Sequence, residues 1–173
     1  MKLFIADLKK IIKSPDILLI AKDKLKNNDK IRYESFSNQD RAMQFLVSRM
    51  IIEKYIAADY TTSDAGKICL KSGFVSVAHT KNLVVVASDN EPVGVDIEKI
   101  TEERNFQKIA ARMKFKNCDT AYDFFKSWTA YEADFKRDSS AKTGTYTYID
   151  YQGFLICLSS NKSENIEIKH VSF

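Results

Sequence analysis

"PVGVDIEKI", residues 92–100, decides how this chain is read. Val95 and Ile97 alternate with Asp96 and Glu98, the period of two that sends successive side chains to opposite faces of a β-strand. One face is therefore apolar and the other carries two carboxylates side by side. Pro92 suits the start of such a strand, and Gly94 would let another backbone or a ligand approach closely. Like charges on one face repel. A hard divalent cation relieves the repulsion, and Mg²⁺ characteristically takes one or two protein carboxylates with water and phosphate oxygens filling its shell. A wet acidic face on an amphipathic strand fits the same residues, so the strand alone leaves both readings open.

Downstream lies "KSWTAYEADFK", residues 126–136. At about 100° of rotation per residue, positions four apart share a helix face, so Trp128, Glu132 and Lys136 form one stripe. A second stripe, Phe124, Trp128, Tyr131 and Phe135, has the period of a core-facing surface. Glu132 stands at its margin, where a carboxylate is costly unless a cation meets it. An exposed Glu132–Lys136 pair is the plainer alternative, worth only a few tenths of a kcal/mol. Upstream, "FVSVAHTKNLVVVASD" reads as a hairpin of Phe74–Ala78 and Leu83–Ser88, turned at Thr80–Asn82.

Further out, strands are expected near Lys2–Ala6 and Ile17–Lys22, then a helix from Asn38 to Ala58 on Phe45, Met50, Ile52 and Ile56. Helical pattern returns at Glu102–Lys114 and Asp119–Arg137. "SSAKTG" breaks it, and strands follow near Thr145–Ile149, Phe154–Ser159 and Ile166–Val171. Helices with mainly hairpin-linked strands argue an α+β fold in two halves, residues 1–90 and 91–173, dividing near Asn90.

The composition, 173 residues and 45% hydrophobic, supports a real core. No apolar run approaches the roughly 18 residues of a membrane span. "MKLFIADLKKII" is broken by Asp7, Lys9 and Lys10 and does not read as a signal peptide, so a cytoplasmic location and no membrane partner are expected. Cys69, Cys118 and Cys157 have neither zinc nor disulfide spacing and are expected as buried thiols. The net charge is +4, but Lys22, Lys24, Lys26, Lys30, Arg32, Arg41 and Arg49 crowd the first half. Such a cluster suits a phosphate-bearing ligand or an acidic protein partner, and equally a solvated loop. Nucleic acid is not expected, since no aromatic-basic platform or recognition-helix motif accompanies the charge. With five glycines and two prolines there is no Gly-rich phosphate loop.

The two motifs together carry a resemblance. "PVGVDIEKI" followed about thirty residues later by "SWTAYEADFK" resembles the paired signature of the 4′-phosphopantetheinyl transferase superfamily, G-[VI]-D-x-E and then W-x-x-K-E-[AS]-x-x-K. The Sfp-type branch also places an S-x-S-H-S segment just ahead, to which "SVAHT" is similar. The likeness runs over roughly residues 74–136. It implies a pseudo-dimer of two similar α+β lobes with coenzyme A in the cleft between them. It further implies that Asp96, Glu98 and Glu132 bind Mg²⁺, that Lys136 lies near the coenzyme A phosphates, that His79 meets the 3′-phosphate and that Arg41 contacts the nucleotide. The activity implied is transfer of 4′-phosphopantetheine to a serine of an acyl or peptidyl carrier protein, with Glu132 and Lys136 catalytic; a monomer is expected.

The chain departs from that pattern at several positions. Tyr131 replaces the lysine before the glutamate, and it is expected to pack on the apolar stripe. Ser76 is retained from S-x-S-H-S, while Ala78 and Thr80 replace the other serines. The family's basic-proline element is absent, "GKICLKSG" offering only Lys67 and Lys71. These departures keep a second reading in view: a catalytically weakened homologue that binds coenzyme A or a carrier protein without transfer.

Overall fold

The computed structural model describes residues 1–11, 15–102, 105–137, 144–162 and 165–173. Strand β1 (Lys2–Asp7) is apolar on both faces, Leu3 and Ile5 on one and Phe4 and Ala6 on the other, and all four are buried. A strand of that kind must be covered on both sides. Three short helices follow, α1 (Leu8–Ile11), α2 (Pro15–Asp23) and α3 (Asn27–Glu34), and then the long α4 (Gln39–Tyr55). Asn38 caps α4, its side chain accepting a hydrogen bond from the Arg41 N–H at 3.0 Å. The short strands β2 (Thr61–Thr62) and β3 (Ile68–Cys69) pair with each other. Strands β4 (Phe74–Thr80) and β5 (Leu83–Asp89) form the hairpin, with Lys81 at a left-handed φ of 50° in the turn.

The rest of the chain supplies β6 (Val93–Lys99), α5 (Phe106–Met113), α6 (Ala121–Arg137), β7 (Thr145–Tyr151), β8 (Phe154–Ser160) and β9 (Glu167–Val171). The first sheet has the order β4-β5-β1-β9, with β9 parallel to β1, and the second has the order β6-β8-β7. Four layers result. Helix α4 covers one face of the first sheet through Leu46, Val47 and Ile51 against Phe4, Val84 and Val86. The opposite face, Leu3, Ile5 and Val85, meets Val95, Ile97, Ile156 and Leu158 of the second sheet. Helix α6 covers the outer face of that second sheet, Phe124 and Phe125 meeting Leu155 and Ala133 meeting Cys157.

The α+β class is as expected, and so are β1, the hairpin, β6, α6 and the last three strands to within a few residues. The division near Asn90 separates β1–β5 from β6–β8, but β9 returns to pair with β1. Part of the helix expected at Glu102–Lys114 falls on residues 103–104, outside the described residues; α5 begins at Phe106. The strand expected at Ile17–Lys22 is instead helix α2. Pro15 opens that helix, where its missing N–H costs nothing, and Asp16 follows in the first turn. Ile17, Leu18 and Ala21 then share the helix face that packs on the core around α4. Among the described residues, no helix is long and apolar enough to cross a membrane.

Two further expectations are corrected. The stripe Phe124–Trp128–Tyr131–Phe135 is not a core face: Phe124 is buried, but Tyr131 is 47% and Phe135 62% exposed. The core face of α6 is Ala121, Phe125, Thr129 and Ala133, four apart and mostly small. Of the cysteines only Cys157 is buried; Cys118 is half-buried and Cys69 exposed.

Candidate functional site

Why α6 lies so close to β6 follows from one residue. A Cβ on Gly94 would sit 1.9 Å from the Ala133 carbonyl oxygen and 2.8 Å from the Arg137 nitrogen, so only glycine admits the helix backbone there. With the helix that close, the polar face of β6 looks onto α6 rather than into solvent. Val93, Val95 and Ile97 join the core between the sheets, and Asp96 and Glu98 project the other way.

The stripe on α6 then meets the strand in register. The Lys136 ammonium donates to Asp96 Oδ1 at 2.7 Å. One end of the stripe away, Trp128 Nε1 donates to Glu98 Oε1 at 3.2 Å. Glu132 is half-buried between them on the same face. Lys136 thus pairs across to the strand, not with Glu132 on its own helix. Asp96 is only 7% exposed, and its second oxygen, Oδ2, is buried without a hydrogen-bond partner. Such an atom is expensive to leave unmatched. Cys157, opposite Asp96 on β8, has its thiol pushed up to about 12, first by burial and then by the Asp96 carboxylate. That thiol is no nucleophile at neutral pH.

His79 and Arg41 reach the same neighbourhood from the first sheet and α4. His79 stands on β4 and Arg41 in the first turn of α4. His79 is exposed, although one side of the ring is crowded by its neighbours. Burial of that side, then the Lys136 ammonium and the Arg41 guanidinium, holds its pKa below the ordinary value, while Asp96 opposes them weakly. Strand β4 is tied to β6 directly, since the buried Ser76 Oγ accepts from the Val95 N–H at 3.0 Å. That serine therefore serves as a clasp between the sheets.

All six residues singled out from the sequence have a place here. The structure joins Asp96 to Lys136, puts His79 within electrostatic reach of Lys136, Arg41 and Asp96, and fixes Glu98 on Trp128. Asp96, Glu98 and Glu132 are the oxygen donors that could hold a hard cation. Among the described residues no three of His, Cys, Asp or Glu stand close enough together to form a metal cluster. The Trp128–Glu98 bond was not foreseen, although the four-residue spacing from Trp128 to Glu132 was its signal.

Half of the remaining basic cluster, Arg49, Lys26 and Arg32, is committed to structure. Arg49 pairs at 3.1 Å with the fully buried Asp29, which also accepts from the Tyr60 hydroxyl at 2.8 Å. The Lys26 ammonium lies 3.8 Å from the centre of the Tyr60 ring, and the Arg32 guanidinium occupies the space beside Gly66. A second unforeseen network surrounds Asp134 on α6, which accepts from the Ser159 and Tyr146 hydroxyls and the Gly144 N–H. It fastens the C-terminal half of α6 to β7 and β8. Compared with known proteins, the chain matches no family model and no curated protein at a significant level.

Proposed function

We propose that the protein transfers 4′-phosphopantetheine from coenzyme A to a serine hydroxyl of an acyl or peptidyl carrier protein, with Mg²⁺ as cofactor. The observation that carries the reading is the buried, unpartnered Oδ2 of Asp96, whose other oxygen holds the Lys136 cation and whose charge is felt at His79 along with those of Lys136 and Arg41. An acceptor facing a positive rim is the arrangement a cation-bridged pyrophosphate requires. Asp96, Glu98 and Glu132 offer the hard oxygen donors that such an ion prefers, and would have to draw together around it. Asp96 Oδ2 has no hydrogen-bond partner among the described residues, Glu132 makes no ion pair among them, and Trp128 Nε1 donates to Glu98 Oε1.

In this reading α4 on the first sheet and α6 on the second form two similar lobes, each sheet backed by one helix of 17 residues. Coenzyme A lies between them. Arg41 and His79 receive its 3′-phosphate, and Lys136 faces the pyrophosphate. Mg²⁺, when bound by Asp96, Glu98 and Glu132, neutralises charge on the pyrophosphate. The serine oxygen forms a bond to the β-phosphorus while the bond to the bridging oxygen breaks, and 3′,5′-ADP leaves with that oxygen. Glu132, directly or through water, takes the serine proton. Lys136 stabilises negative charge on the leaving phosphate. Phosphoryl transfer of this kind depends on position and charge compensation more than on covalent catalysis.

The test is a mass measurement. Incubation with coenzyme A, Mg²⁺ and a panel of apo carrier proteins is expected to add one phosphopantetheine group to at least one of them, and chelation of Mg²⁺ to prevent it. Asp96→Ala should lower the rate at least about a hundredfold, while the protein remains folded by circular dichroism. Undiminished transfer by that variant removes Asp96 from the site. If coenzyme A binds but no carrier protein is modified, the chain is the binding homologue that Tyr131 keeps in view.

A further inference from the structure

We infer that the exposed aromatic face of α6, Tyr131 and Phe135 with Phe115 beside them, is the docking surface for the acidic carrier protein that presents the serine; this rests on the reading above. Soluble proteins seldom leave large rings together in water without a use for them. Tyr131 is 47% and Phe135 62% exposed, one turn apart on α6. Tyr131 is seated rather than loose, its ring 6.1 Å from Phe115 and 6.4 Å from Trp128, centre to centre.

Phe115 is held by the end of α5. Lys114 takes the left-handed φ of 58°, and the Phe115 N–H bonds the Ala110 carbonyl at 3.0 Å, a helix-terminating turn that aims the ring at α6. Fixed rings with little conformational freedom to lose are what interface anchors need. Beside Phe115 the exposed charge is positive, while Glu132 and Asp134 adjoin Tyr131 and Phe135 in sequence. Arg112, Lys114 and Lys116 are all exposed, and the two lysines flank Phe115 in sequence. An acidic partner with an apolar helix face complements that rim, and charge of this kind steers association.

Position supports the same occupant. Tyr131 and Phe135 directly precede Glu132 and Lys136 in the chain, and Tyr131 stacks beside Trp128, which holds Glu98. A macromolecule bringing a hydroxyl to Glu132 would therefore lie alongside this face. Tyr131 thus takes a different task from the lysine of the resembled motif: it contacts the acceptor protein and not the pyrophosphate.

Steady-state transfer from coenzyme A to a purified apo acyl carrier protein tests this with Phe135→Ser, Tyr131→Ala and Lys114→Glu/Lys116→Glu. KM for the carrier should rise about tenfold or more in each, with kcat and KM for coenzyme A within about twofold of wild type. Added salt should raise KM for the carrier in wild type and less in the charge reversal. An unchanged KM for the carrier overturns the inference. So does a rise confined to coenzyme A, which returns Tyr131 to the nucleotide. Sedimentation as a dimer that Phe135→Ser makes monomeric assigns the face to a second copy, and overturns it as well. If wild type modifies no carrier, the transferase reading fails, and calorimetric titration of the same apo carrier protein decides the docking separately. Binding weakened by Phe135→Ser upholds it; equal or absent binding does not.

Discussion

Helices α4 and α6 are the same length, 17 residues, and each covers the outer face of a sheet, yet they are built on opposite principles. Helix α4 seals its sheet with bulk: Leu46, Val47, Ile51 and Ile52 are all but fully buried. Helix α6 buries Ala121, Thr129, Ala130 and Ala133 besides Phe124 and Phe125, and gains closeness instead. Closeness brings Lys136 onto Asp96 and Trp128 onto Glu98. The Asp96–Lys136 and Glu98–Trp128 contacts therefore sit where the helix face carries small side chains, and the bulkiest sealing lies at α4.

The largest effect that separates the two helices should come from α4. Ile51→Ala removes a fully buried side chain between α4 and the first sheet and should cost about 2–5 kcal/mol by chemical denaturation. On the proposed reading, coenzyme A affinity of the folded fraction should change less than stability does, because Ile51 lies in the core cluster of the first sheet, away from Asp96 and Lys136 and below the exposed first turn that carries Arg41. A stable Ile51→Ala protein would show that α4 is not the seal described here.

Gly94→Ala should do the reverse at α6. Its Cβ meets backbone, not a yielding side chain, so α6 must shift by more than a rotamer change can absorb. Overpacking of this kind usually costs about 1–3 kcal/mol. The functional loss should exceed the stability loss, since the same displacement pulls Lys136 off Asp96 and Trp128 off Glu98. Full transfer activity in a folded Gly94→Ala protein would sink the claim that close approach positions the site.

The same contrast explains what the sequence could disclose. Strand β6 was legible because its alternation is strict, and α4 because Phe45, Met50 and Ile52 mark its buried face. The buried face of α6 was misread because Ala and Thr signal burial weakly while Tyr131 and Phe135 signal it strongly, and they lie outside. Helix α2 passed for a strand because "ILLI" suits either state until Pro15 and the packing of Ile17, Leu18 and Ala21 decide it. Helix α3, "NNDKIRYE", has almost no apolar pattern, and the buried partnership of Asp29 with Arg49 and Tyr60 is a tertiary fact. At the candidate site, two short motifs singled out Asp96, Glu98, Trp128 and Lys136, which the structure brings into contact across β6 and α6. That Lys136 would pair with Asp96 and not Glu132 depended on the placement of α6 over Gly94, which no spacing within a helix reveals.

The smallest effect concerns His79, where the two halves of the candidate site meet. Burial, then Lys136 and Arg41, lowers its folded pKa below the ordinary 6.5 that the unfolded chain retains. Below pH 6.5 the unfolded state therefore binds this proton more tightly. Its contribution is a loss of stability as pH falls from 6.5 toward the lowered folded value, and nothing above that window. An anion seated between His79 and Arg41 opposes all of this by favouring the imidazolium. Binding of coenzyme A near neutral pH should accordingly take up protons and tighten as pH falls toward 6. Calorimetry in two buffers of different ionisation enthalpy counts those protons. His79→Gln should abolish the uptake, and dephospho-coenzyme A should show less of it with wild type. The same proton count for wild type and His79→Gln would place the phosphate elsewhere and leave His79 as an ordinary residue of β4.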